Sequence, residues 1–125
     1  MKGMEIRINK RIIGKYGEYK ASEYLEEKNY EVINKNYYCK YGEIDIIAFD
    51  KNSKELVFVE VKTRTNIHYG RPIEAITNKK INHLKKTINY YIMDKKAYNF
   101  AIRIDAIEIL IIKNKCYINH VKSII

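Results

Sequence analysis

One proline and five glycines among 125 residues leave no Pro/Gly-rich linker and no composition break at which to divide the chain. The chain is also too short for several domains and long enough to bury a core of its own. No apolar run approaches the roughly 18 residues a membrane-spanning helix needs. The first residues, Met1 to Arg11, carry charges but neither the apolar stretch nor the small-residue cleavage site of a signal peptide. The two cysteines, Cys39 and Cys116, have no C-x-x-C spacing. They read as reduced thiols of a cytoplasmic protein, with a disulfide between them as an alternative that nothing local supports. The three histidines, His68, His83 and His120, stand at no ligand spacing from those cysteines, which argues against a zinc site. G-x-S-x-G, the P-loop and G-x-G-x-x-G are all missing, which removes the common hydrolase and nucleotide-binding signatures.

Acidic charge is the minority. Lys and Arg number 24 against 15 Asp and Glu, a formal net charge of +9. That balance suits a polyanion such as nucleic acid. It would equally suit an anionic membrane surface, and lysine-rich composition throughout is the plainer source.

Residues 1–9 read as a short basic lead-in with the character of a disordered arm, and 10–125 as a single domain. Apolar positions Ile13, Tyr16, Ala21, Tyr24 and Leu25 recur at helical spacing from Lys10 to Lys28, with Asn29 as a stop. Strands follow over Tyr30–Tyr38, Glu43–Phe49 and Glu55–Thr63, the last two joined as a hairpin by the turn Asp50–Lys54. Asn66–Thr77, with Gly70 and Pro72, is a loop. Asn78–Lys95 is a second helix with Ile81, Leu84, Ile88, Tyr91 and Ile92 as its buried stripe. Ala101–Ile112 is a long strand, and Lys115–Val121 an edge strand. Strands two and three are nearly continuous in Ile, Val and Phe, the mark of strands covered on both faces. Two helices are available to cover them, so the expected fold is α/β, a three-layer sandwich around a mixed sheet.

Charges inside those apolar strands are the chemical signal. Phe58-Val59-Glu60-Val61-Lys62 puts Glu60 and Lys62 on one face, roughly 7 Å apart, with Phe58. Val57, Val59 and Val61 face the other way. In the preceding strand Asp45 shares a face with Glu43 and Ile47, while Ile44, Ile46 and Ala48 face opposite. An in-register hairpin sets Asp45 beside Glu60. Two carboxylates and an amine at one point are what phosphodiester hydrolysis with a hard divalent cation needs. Asp45 and Glu60 are candidate ligands to Mg²⁺ or Mn²⁺, and the backbone carbonyl of Val61 a third. Lys62 can orient water or offset developing charge. The alternative is a salt bridge of Lys62 with Asp45 or Glu60, although a lone structural pair gains little over apolar residues in a sheet interior.

Other charged residues carry weaker signals. Glu18, on the first helix, is within reach of the sheet or faces solvent. Arg64 extends the third strand beyond Lys62. Lys79, Lys80, Lys85 and Lys86 crowd the start of the second helix against its dipole, a conflict that an incoming phosphate relieves. A solvated helix face is the default for Lys85 and Lys86. Arg103 and Asp105 share a face of one strand and pair with each other by default. The twelve tyrosines can stack on bases, although most read as core or strand-surface residues.

The segments GKYGEYKASEYL, NYYCKYGEIDIIA, FVEVKTR, GRPIEAITNKK and RIDAIEI, spread over about residues 14–107, together resemble the YraN-like family. That largely uncharacterised bacterial group is assigned to the PD-(D/E)xK nuclease superfamily and is similar to archaeal Holliday-junction resolvases. The resemblance implies an αβββαβ restriction-endonuclease-like core. It implies Asp45, Glu60 and Lys62 as catalytic triad, Glu18 as a helix glutamate of the metal site, and Lys80 rather than Lys79 as a family lysine. Ile44 stands where the superfamily has proline, and Tyr38 where relatives often carry arginine. The function expected is a cytoplasmic Mg²⁺- or Mn²⁺-dependent endonuclease acting on DNA, branched or junction DNA among its candidate substrates. A nucleic-acid-binding module that keeps the fold without chemistry is the alternative, and an interaction subunit a third. A homodimer would suit a symmetric junction, yet no sequence feature defines an interface.

Overall fold

A computed structural model describes residues 10–66 and 76–125. The basic lead-in, His68 and most of the Asn66–Thr77 loop lie outside the described residues. The elements run α1 (Lys10–Glu27), β1 (Tyr30–Cys39), β2 (Gly42–Asp50), β3 (Glu55–Arg64), α2 (Asn78–Lys95), β4 (Ala101–Ile112) and β5 (Lys115–Val121). The five strands form one sheet in the order β1-β2-β3-β4-β5. Among the described residues only β3 and β4 pair in parallel, with α2 between them in the chain, so the sheet is mixed. This is the αβββαβ order with one further edge strand. Both cysteines are free, Cys39 buried and Cys116 half-buried.

The alternation of β3 splits the core into two layers. Val57, Val59 and Val61 join Ala21 and Leu25 of α1, together with Ile46, Ala48, Ile107 and Ile109. Phe58 and Leu56 join Leu84, Ile88 and Tyr91 of α2 on the other face. Tyr91 packs edge-on against Tyr37 and Phe58, with centroids 5.0 and 5.6 Å away. The helices thus cover opposite sides of the sheet, as apolar strands of this kind require.

Two details depart from simple periodicity. Tyr16 is exposed, whereas Gly17 is buried on the sheet side of α1. The helix comes so near β3 at this point that only a residue without a side chain fits. A Cβ on Gly17 would collide with Thr63 Oγ1 and lie 2.9 Å from Thr63 Cβ. Ile44 packs with Ile47 in the α2 layer rather than with Ile46 and Ala48. Strict alternation fails there, where the neighbouring β1 carries a left-handed residue, Asn36 (φ 52°), between the pairs Lys35↔Ile46 and Tyr37↔Ile44. The β2–β3 ladder also stops at Ile46↔Val59.

Candidate active site

The place where β2 and β3 part company is where the charged side chains converge. One further step of the ladder would set Asp45 opposite Glu60. Instead, an Asp45 carboxylate oxygen accepts a hydrogen bond from the Val61 backbone N–H at 2.8 Å. The side chain thereby supplies the acceptor that β2's backbone no longer offers, and the split opens the sheet at the end of β3.

Glu60 is 3% exposed, and its Oε1 meets Lys62 Nζ at 3.3 Å and Lys80 Nζ at 3.1 Å. Two cations on one carboxylate offset its desolvation, which a single exposed lysine would not do. Lys80 is placed by the first turn of α2, where Thr77 caps the helix by accepting from the Lys80 N–H at 3.2 Å. Partial burial would lower the Lys80 pKa, but the Glu60 charge and hydrogen bond raise it above the ordinary lysine value.

Asp45 has the opposite environment. Desolvation first, and then the charge of Glu60, push its carboxyl up to about 7 against the pull of the Val61 N–H. Glu18 reaches over from α1 and Glu43 from the start of β2. Carboxylate oxygens of Glu18, Glu43 and Asp45 all lie within 4.8 Å of one another. Burial also raises the Glu18 pKa, offset in part by Asn36. In the amide orientation that satisfies its neighbours, Asn36 donates to Glu18 Oε2 at 3.1 Å and Glu43 Oε1 at 2.9 Å. Three convergent carboxylates, one of them driven towards its neutral form, make a site that a cation relieves. An all-oxygen donor set fits Mg²⁺ or Mn²⁺ rather than a softer metal.

A cavity of about 500 Å³ opens beside these groups, lined among others by Glu43, Asp45, Glu60, Lys79, Lys80 and His83. A second hollow of about 490 Å³ includes Glu18, Lys62 and Arg64. Asp45, Glu60, Lys62, Glu18 and Lys80 are therefore brought together, and Lys79 stands at the rim. Arg64 is set on the second hollow and donates to the Thr63 carbonyl at 3.2 Å. At Val61 the group engaged is the N–H. Sequence reasoning put Glu43 on the right face without giving it a role. It missed Asn36, whose signal is a backbone conformation that no residue pattern reveals.

The family model "Uncharacterised protein family UPF0102" matches residues 17–109. A UPF0102 protein of Caldicellulosiruptor saccharolyticus is 44% identical over 118 residues, covering 93% of this chain and 98% of that one. One from Caldanaerobacter subterraneus is 39% identical over 119 residues, with 95% and 96% covered. One from Clostridium botulinum is 48% identical over 100 residues, with 79% and 80% covered. Among solved structures, a repair endonuclease from Pyrococcus abyssi aligns with a TM-score of 0.44 at 13% identity. That alignment covers 89% of this chain and 42% of that one.

Proposed function

This chain belongs to the uncharacterised protein family UPF0102, the YraN family, and we propose that it is a metal-dependent endonuclease that hydrolyses phosphodiester bonds in DNA. The observation that carries the reading is the Asp45 carboxyl. It sits at the parting of β2 and β3, flanked by Glu18 and Glu43, and is pushed up to about 7. Asp45, Glu18 and Glu43 would hold the cation, with Glu60 beside them. When bound, Mg²⁺ or Mn²⁺ supplies charge neutralisation at the phosphate and a more acidic water. Glu60 fixes the Lys62 ammonium at the mouth of the site, from which it orients water and offsets charge on the phosphate oxygens. Lys80 and Lys79 line the cavity on the α2 side and Arg64 the hollow on the α1 side, so cations flank the acids on both faces. The net charge of +9 favours a polyanionic substrate. Branched or junction DNA is the substrate class we favour within that reading.

A second reading draws on Glu60. Its two lysine partners neutralise a carboxylate that the first reading places beside the cation, as a nucleic-acid-binding module without chemistry would allow. Cleavage of a labelled four-way junction with Mg²⁺ or Mn²⁺ separates the two. The nuclease reading expects cleavage by the wild type and losses of at least about 100-fold in Asp45→Ala and Glu60→Ala. Equal rates in all three would remove the active-site assignment. Calorimetry with Mn²⁺ gives a second readout, binding to wild type and none to Asp45→Ala.

A further inference from the structure

Resting on the nuclease reading, we propose that the nucleotide beside the scissile phosphate is unpaired and that its base stacks on Tyr41. Tyr41 lines the same cavity of about 500 Å³ as Asp45, Glu60, Lys79 and Lys80. It remains 41% exposed.

The turn that carries the ring is firmly seated. Gly42, with φ at +145°, takes a backbone conformation that other residues rarely adopt, and a Cβ there would meet Thr87 Oγ1 of α2 at 3.3 Å. Tyr41 packs edge-on against Tyr90 of α2, with centroids 6.1 Å apart. Lys40 Nζ sits 5.1 Å from the Tyr41 centroid. A ring held in this way costs little entropy when a ligand arrives.

The carboxylates and lysines of the cavity lining suit a phosphate with its cation. Tyr41 belongs to the same lining, and with the Lys40 ammonium over one side of its ring it suits a base with its phosphodiester. A volume of this size encloses a small molecule or one extruded nucleotide. Inside a duplex a base shows only its edge in the groove, and its π-face is taken by neighbours. A ring at this position can be used only if the base leaves the stack.

The test is a fluorescence titration in EDTA at low salt. The probe is a DNA strand with 2-aminopurine at alternate positions, single-stranded or annealed into a blunt duplex. Wild type, Tyr41→Phe and Tyr117→Leu, an exposed tyrosine of β5, are expected to quench the single strand. Tyr41→Leu is expected to lose the quenching and to bind about 5- to 140-fold more weakly, one stacked base's worth. Equal quenching and affinity in Tyr41→Leu overturns the stacking. So does tighter binding of the duplex than of the single strand by wild type, a comparison that needs no variant. If either occurs while cleavage still depends on Asp45, the nuclease reading stands without it. Tyr41-dependent quenching without any metal-dependent cleavage keeps the stacking and removes the chemistry. Failure to bind either DNA removes both.

Discussion

Asp45 pays for its position in stability. A carboxyl with a folded pKa near 7 and an ordinary value of 3.8 favours the protonated native state. The stabilisation is therefore fully present below about pH 4 and is lost as pH rises through 7. At pH 8 the metal-free protein carries a poorly solvated charge facing Glu60 and Glu18, at a cost of about 1.4 kcal/mol for each tenfold loss of acidity. Asp45→Asn keeps an acceptor for the Val61 N–H and removes the charge. It is expected to raise the melting temperature at pH 8 in EDTA while abolishing Mn²⁺-induced stabilisation. A lower melting temperature in the variant would show that the carboxylate serves the fold and not a ligand. Asp45, Glu60 and Lys62 were legible because charge in an apolar strand needs a reason. Glu43 had the same face but no second signal, since acidic residues at strand starts are ordinarily solvated. Asn36 was invisible, because what matters is its left-handed backbone opposite Asp45.

Helix α1 does more for the site than contribute Glu18, since its closeness to β3 decides where that carboxylate ends up. Gly17 sets the approach by giving Thr63 room. Gly17→Ala gains about 1 kcal/mol of helix propensity but overpacks a contact between a helix and a short branched side chain, at about 1–3 kcal/mol. The net expectation is a lower urea midpoint, and a rise in the Mn²⁺ dissociation constant as Glu18 is displaced from Asp45. Thr63→Ala in the same chain removes the Oγ1 collision but keeps the Cβ at 2.9 Å, so it is expected to restore both in part. An unchanged midpoint in Gly17→Ala would mean that the helix slides freely. All seven element assignments could be read from periodicity and turn residues, to within a residue or so at their ends. The stripe of α1 was misjudged at Tyr16 because spacing rewards a large apolar residue, whereas this interface selects a missing side chain. The parting of β2 from β3 was also hidden: pairing rules extend a ladder, and only the competing Asp45 side chain ends it.

Among the described residues, two charged clusters at opposite ends of the sheet are balanced in opposite ways. At the end of β3 the carboxylates outnumber what holds them. At the start of β3 and β4, Arg103 gathers Asp50 at 3.0 Å, Glu55 at 2.9 Å, Asp105 at 2.9 Å and the Tyr30 hydroxyl at 2.7 Å. Asp105 also meets His120 of β5 at 2.7 Å, and His120 meets Tyr24 of α1 at 3.1 Å. The pairing of Arg103 with Asp105 was legible in one strand; the rest of the network comes from other elements and had no local signal. Burial alone would raise the Asp50 carboxyl, but hydrogen bonds from Ser53, Arg103 and the Asn52 amide hold it at about 2. Asp105 is likewise lowered, with His120 and Arg103 overcoming its burial. Depressed carboxyls stabilise the fold above about pH 4 and lose that contribution as pH falls towards 2. Arg103→Met removes one partner from the buried carboxylates, at about 3–5 kcal/mol near neutral pH, and flattens this dependence, since Asp50 keeps the Asn52 and Ser53 N–H groups and Asp105 keeps His120 and the Ser123 N–H. Denaturant unfolding between about pH 2.5 and 4, below the range in which Asp45 titrates, is expected to show wild type weakening in acid more steeply than the variant. Parallel curves would place the acid sensitivity elsewhere. A satisfied cluster that ties five strands together allows the opposite end of the same sheet to keep its acids uncompensated without unfolding, and leaves them for a cation to complete.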